Sequence, residues 1–417
     1  STGKGTFVMI LRKLRSLEAG SVWQNIYKYA QTFPNMYAGL VLLVALAGFA
    51  YLLLFPTLML MGMWTLAAYA ASGYSIVDIF FLAFWACVTC ISAINTIYLV
   101  KIKFRDTEGV PVQSPVASKL HSLLNEFGHE TRIPRIDRII VSEQLSIDLV
   151  KTPVTPIPLW SSNTLVIGLP LMQCLSPDYF KCAVIRKLLQ YSKHRHWLIK
   201  WLHQLRNIWM LYLNMLSANV TLSNFMLAIF FHFYAPLYRD LATPIAHRNE
   251  LEADLDSLEY INDEDLLQTI ETVIVAKIYL DQQYWPKLTR LQNERNDSSI
   301  EPYTELEKVL KTGLTTKTTK RWLDSLYKGE SHKIKAIPSL KARMHNIGRS
   351  RIRIPERIEQ TAAHTYLDKD YTHIVNGVNQ LWTQRNSYAT SSRATNTHRT
   401  SAPTSNSVSS NFSPNIF

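Results

Sequence analysis

From Met36 to Ser72 the chain carries no Asp, Glu, Lys or Arg. A helix needs about 20 apolar residues to cross the hydrocarbon core of a bilayer, and this run exceeds that length, so the sequence predicts a membrane anchor before anything else. Pro56 lies inside the run and is expected either to kink the helix or to mark where it leaves the hydrocarbon, because proline removes a backbone donor and crowds the preceding turn. After Gly73-Tyr74-Ser75 a second span is expected from Ile76 to Val100, which makes a helical hairpin. Arg12, Lys13, Arg15 and Lys28 precede the hairpin and Lys101, Lys103 and Arg105 follow it, while the connecting turn holds no cation. That asymmetry orients both ends toward the cytoplasm, which in a bacterium means the inner membrane with the large C-terminal part inside the cell.

The rest of the composition fits a mixed chain. Of 417 residues 47% are hydrophobic, and the mean hydropathy of -0.02 is too low for a multispan transporter and leaves room for a globular part. The charge of +12, from 44 Lys and Arg against 32 Asp and Glu, is spread along the sequence. With no nucleic-acid motif beside it, diffuse positive charge points to anionic lipid headgroups rather than nucleic acid. Cys87 and Cys90 sit in the second apolar run and read as small packing residues; with Cys174 and Cys182 they form no disulfide framework. No cleaved signal peptide is expected, since the apolar core near the N-terminus is short.

The expected organisation is an N-terminal cytoplasmic segment over 1–35, a two-helix hairpin over 36–105, a folded domain over 106–385 and a disordered tail over 386–417. The tail is rich in Ser, Thr and Asn and lacks the apolar content to pack. Within the domain, Pro115 to Phe127 has helical spacing, whereas Arg138–Val141 and Asn163–Ile167 are short β-branched runs bounded by turn residues. Ser176-Pro177-Asp178 has the cap, proline and acid of a helix start, and helix is expected from there to Met215, in one piece or two. The uncharged stretch from Ile208 to Pro236 is interrupted by Asn214, Asn219, Asn224 and His232. It fits a membrane-embedded hairpin as well as a buried core pair. The fold class is mainly α, an α+β domain with a small β-sheet behind a transmembrane hairpin.

Two segments carry the chemical question: KCAVIRKLLQYSKHRH over Lys181–His196 and HRNELEADLD over His247–Asp256. The second resembles the ExEAD motif of the HtpX-like and CAAX-prenyl-protease membrane zinc metallopeptidases, and the first stands where that family has its AHELGH helix. Further matches are IPRIDRIIVSE, NTLVIGLPLMQCLSPDYFKCAV, FFHFYAPLYRDLATPIAHRNELEAD and IPSLKARMHNIG, the last similar to the family's THPSLxxRxxxLG. The resemblance spans about Pro111 to Trp382 and implies a metallopeptidase-like domain.

It also implies a degenerate centre. Zinc in such a frame needs two imidazoles at i and i+4, a glutamate beside the first to activate water, and a carboxylate from the later helix. Aligned without a gap to AVLAHELGH, the segment AVIRKLLQY puts Lys187 and Tyr191 at the ligand histidines, Leu188 at the catalytic glutamate and Gln190 at the glycine. Glu250 stands at the third-ligand position, Asp254 at the supporting acid, and Ala336 replaces the histidine of THPS. An ammonium repels a divalent ion, a neutral phenol is a poor zinc ligand and leucine moves no proton. The expectation is therefore a catalytically inactive peptidase homologue with no metal and no cofactor. It would act as a binding or scaffold subunit toward another membrane protein or a polypeptide segment, with Lys187 expected to neutralise Glu250. The alternative is a zinc metalloendopeptidase with non-standard ligands, drawing on Glu250, Asp254 and histidines such as His203 or His247. His194 and His196 do not share the required helix face and read as part of a basic edge near the membrane.

Overall fold

The computed structural model describes residues 25–72, 76–101, 108–112, 118–130, 133, 135–153, 161–191, 197–218, 220–221, 223–295, 300–312, 316–328, 337–349 and 358–397. The two apolar runs fold as helix α1 (Pro34–Ser72) and helix α2 (Ile76–Lys101). Gly62 packs against Thr89 so closely that a Cβ at Gly62 would overlap the Thr89 hydroxyl. Tyr69 meets Phe81 at 5.5 Å, and the two contacts fix an antiparallel hairpin. Helix α1 runs through Pro56 instead of ending there.

Both helices are long and apolar enough to cross a membrane. Most of their surface faces outward: Leu43 is 70% exposed, Trp64 77% and Phe80 81%. The core helix of a water-soluble domain would hide such side chains, so this surface calls for an apolar surrounding and associates the protein with a membrane.

The second uncharged stretch belongs to helices α6 (Trp197–Ala218) and α7 (Phe225–Leu241). They pack on each other and on the first half of α1 in a core of their own, in which Val41, Ala45 and Leu52 meet Leu205, Trp209, Tyr212, Leu227 and Phe231. Three phenols tie the elements across: Tyr37 Oη donates to the Leu241 carbonyl at 2.6 Å, Tyr51 Oη to Met226 at 3.0 Å and Tyr234 Oη to Val44 at 2.8 Å. The opposite face of α7 leaves Phe225, Met226, Ile229, Phe233 and Leu237 exposed at helical spacing. The hairpin is thus buried against the anchor helix on one side and uncovered and apolar on the other.

The domain is a mainly helical α+β unit. Its four-stranded sheet contains β1 (Val110–Pro111), β2 (Arg138–Ser142), β3 (Ile147–Pro153) and β4 (Ser161–Gly168) in the order β1-β2-β4-β3. β2 and β4 run parallel, with Ile140 opposite Val166, and β3 pairs antiparallel to β4, with Asp148 opposite Val166. Helices α3 (Ser118–Glu130), α4 (Leu169–Cys174), α5 (Pro177–Leu189), α8 (Thr243–Ser257) and α9 (Asp263–Tyr279) follow in chain order around α6 and α7. A π-helical turn, Leu280–Tyr284, leads into α10 (Trp285–Arg295). Then come α11 (Pro302–Thr312), α12 (Thr316–Lys328), α13 (Leu340–Ile347), α14 (Ala362–Leu367) and α15 (Tyr371–Thr397).

The main core joins Ile139, Ile147 and Leu165 of the sheet to Phe180, Val184 and Leu188 of α5 and to Ile270 and Val273 of α9. Helix α5 begins where the sequence predicts: Ser176 Oγ accepts from the Tyr179 amide and Pro177 occupies the first turn. The long helical reading from Pro177 resolves into α5 and α6 in series. Helix α15 continues to Thr397, so the segment expected to be disordered from 386 is helical over its first part, and the remainder lies outside the described residues. Extending a helix already anchored by packing requires no new nucleus, which lets weak helix formers follow.

Candidate functional site: a buried charge cluster

Helix α5 delivers two consecutive cations to the interior. Arg186 and Lys187 are 0% and 1% exposed, a burial that charged side chains reach only when paired. Opposite them, α8 presents Glu250 and Asp254, four residues apart and therefore on one face. Arg186 bridges both acids: Nη2 donates to Glu250 Oε2 at 2.6 Å and Nε to Asp254 Oδ1 at 2.6 Å. Arg343, on α13, grips Asp254 from the other side, Nε to Oδ2 at 2.8 Å and Nη2 to Oδ1 at 2.7 Å. This two-pronged geometry is the strong form of the guanidinium–carboxylate contact.

Lys187 does not meet Glu250, contrary to the expectation from sequence. Its Nζ lies 2.8 Å from Asp148 Oδ1, on the edge strand β3. Successive residues on a helix point about 100° apart, so when Arg186 faces α8 its neighbour is turned toward the sheet. Three cations, Arg186, Lys187 and Arg343, thus balance three acids, Asp148, Glu250 and Asp254.

The proton equilibria follow. Burial opposes ionisation of Glu250, but the Arg186 and Lys187 charges overcome it and hold the carboxyl down at about 2. Asp254 is likewise lowered, its burial outweighed by Arg186 and Arg343. Burial pushes Asp148 up, and Lys187 only partly reverses this. Burial also opposes the charge on Lys187, yet Asp148 leads a set of neighbours that raise its pKa overall. Tyr191 is pushed up to about 12 by burial and stays a neutral phenol.

The other predicted positions fall as follows. Leu188 is 1% exposed and belongs to the hydrophobic core. Tyr191 is buried just beyond the end of α5. Gln190, four residues after Arg186 and on the same side of the turn, is 1% exposed, and its side-chain amide makes no hydrogen bond. The residue of α5 that meets Glu250 is therefore Arg186, one position before Lys187. Ala336, His194 and His196 lie outside the described residues. His203 is buried on α6, and the His247 ring packs edge-on against Tyr27 at 5.5 Å.

Among the described residues no group of three or more His, Cys, Asp or Glu side chains converges as a metal ion requires. The donor set does not fit zinc either: Glu250 and Asp254 are already held by guanidinium groups, and the Arg186 and Lys187 cations beside them have no lone pair to offer a metal.

Sequence reasoning missed Arg186, Arg343 and Asp148. Arg343 was in plain view inside IPSLKARMHNIG, and Asp148 is the acid interrupting the apolar alternation of SIDLV. Arg186 stands one position before the lysine expected to meet Glu250. No protein-family model, curated protein or solved structure matches this chain.

Proposed function

We propose that the chain is a membrane-anchored pseudopeptidase of the HtpX-like type, a frame whose metal centre has been replaced by an internal salt-bridge cluster and whose work is to bind a polypeptide or a membrane-protein partner. The observation that carries this reading is the Arg186 guanidinium lying between Glu250 and Asp254. It supplies positive charge between the two acids of the NELEAD motif, where zinc would do so in a peptidase. The spacing supports the same reading: Gln190 follows Arg186 by four residues, as the second histidine follows the first in His-Glu-x-x-His. Strand β3 ends the sheet beside Lys187, and an edge strand can pair with an extended segment through its backbone. The proposal includes a bacterial inner membrane as the location, with the domain on the cytoplasmic side.

The test is to write the peptidase signature back. Arg186→His, Lys187→Glu and Gln190→His are combined with Asp148→Asn, which removes the carboxylate that Lys187 now neutralises. Metal content is measured after dialysis on this variant and on the wild type. The expected result is stoichiometric zinc on the variant and none retained by the wild type. Zinc retained by the wild type would establish the enzyme with non-standard ligands instead. A folded variant that holds no zinc would refute the peptidase frame.

A further inference from the structure

Helices α6 and α7 leave the domain between two arginines. From Asn207 to Tyr238 the chain holds no Asp, Glu, Lys or Arg, so Arg206 is the last charged residue before that stretch and Arg239 the first after it. Tyr238 Oη donates to the Leu202 carbonyl at 3.0 Å. That bond ties the feet of the two helices together, one turn from Arg206 and one residue from Arg239. Arg206 is the guanidinium left without an anion of its own. Its Nε is buried and has no hydrogen-bond partner among the described residues, and both burial and the like charge of Arg239 work against its cation. Two acids act in its favour, but Glu250 is bonded to Arg186 at 2.6 Å and Asp240 to Arg239 at 3.0 Å. A guanidinium withdrawn from water without a counterion is costly, so this foot calls for an anion from outside the chain.

We propose that Arg206 binds the phosphate of an anionic lipid headgroup. Guanidinium donors match phosphate oxygens, and an arginine at the end of an uncharged helix reaches the headgroup layer while its stem stays among apolar groups. The residues beyond it select a lipid over a soluble anion. Met210 and Leu213 follow at i+4 and i+7, on one face with Arg206, and lie half-buried against the hairpin core. Farther along the hairpin, α7 exposes Ile229 and Phe233. A ligand with phosphate at Arg206 and hydrocarbon running past Met210 and Leu213 is matched at both ends, whereas free phosphate leaves the apolar part uncovered. The proposal rests on the membrane association of the chain and not on the peptidase-like reading, so either can fail alone.

Melting curves of the full chain in a neutral detergent test it, with dioleoylphosphatidylglycerol, dioleoylphosphatidylcholine or inorganic phosphate as the added probe. The wild type is expected to be stabilised by phosphatidylglycerol alone. Arg206→Met keeps an apolar stem and removes the cation, so it is expected to melt above the wild type without lipid. It should also need roughly ten times more phosphatidylglycerol for half of any remaining shift. Arg248→Gln removes an exposed arginine paired with Glu252 and is expected to keep the wild-type response, which separates the site from bulk charge. Equal stabilisation by phosphatidylcholine, a matching shift with inorganic phosphate, Arg206→Met melting below the wild type without lipid or responding to phosphatidylglycerol as the wild type does, or a lost response in Arg248→Gln would each overturn the proposal.

Discussion

Arg186 and Glu250 form a salt bridge at 2.6 Å in which neither side chain exceeds 2% exposure. Breaking such a pair from one side leaves a buried charge without a counterion, which costs about 3–5 kcal/mol, whereas replacing both partners by apolar groups is often nearly neutral. Arg186→Met is therefore expected to lower the melting temperature strongly in detergent. Combining it with Glu250→Leu should recover a large part of the loss, although Asp254 still has Arg343 to hold it. A double mutant no better than Arg186→Met would show that the pair is not the coupled unit.

The same cluster predicts acid sensitivity with a definite sign. The folded-state pKa of Glu250 lies at about 2, below its ordinary 4.5. Its contribution to stability is therefore complete above about 4.5 and is lost as pH falls through the folded value. Asp254, also lowered, acts in the same direction. Asp148, raised by burial, acts in the opposite one, since ionising it costs stability as pH rises. Comparing wild type with Glu250→Gln isolates the first effect: the melting-temperature difference between them should shrink as pH drops from 5 toward 2, within the window set by those two values. A constant difference would contradict the assignment.

At the membrane end, Gly48 gives a sharper packing test. A Cβ there would run into the Tyr234 phenol, the group that donates to Val44. Gly48→Val is expected to cost about 1–3 kcal/mol through overpacking and to loosen α7 from α1. Gly39 has nothing within 4 Å of the corresponding position, so Gly39→Ala should be neutral or slightly stabilising. Thermal shifts of the two variants in one detergent read the contrast directly.

The apolar face of α7 makes a fourth prediction. In a background with Cys87 and Cys90 replaced, a single cysteine at Ile229 or Phe233 should resist membrane-impermeant maleimide in intact vesicles and react after solubilisation. Both positions are exposed in the structure, so protection can come only from what surrounds the protein. Rapid labelling before solubilisation would exclude lipid cover for this face.

Much of the architecture was legible because it rests on local signals. The charge-free run gave α1, the Ser176-Pro177-Asp178 start gave α5, and the β-branched runs gave β2 and β4. The destination of the stretch from Ile208 was not legible, because periodicity identifies a buried face without naming its partner. That partner is α1, reached through the phenols of Tyr37, Tyr51 and Tyr234. At the site, Glu250 and Asp254 were singled out in the sequence, but the cation expected at Glu250 was Lys187 and the one that lies there is Arg186. On a helix one residue is a rotation of about 100°, enough to exchange α8 for β3 as the surface it meets. Asp148 was beyond reach, since no local pattern links a strand acid to a lysine on a helix that starts after the next strand.

Helix α1 has 39 residues, which at 1.5 Å each makes a rod of about 58 Å. A hydrocarbon slab is about 30 Å thick, and an upright rod of this size is nearly twice as long. Its first half carries α6 and α7 as side braces, so the rod is a bundle of helices along that half and a plain hairpin with α2 near its end. Whatever layer surrounds the braced half also wets the bare face of α7, and shortening that half would strip the rod of its braces before it touched the hairpin.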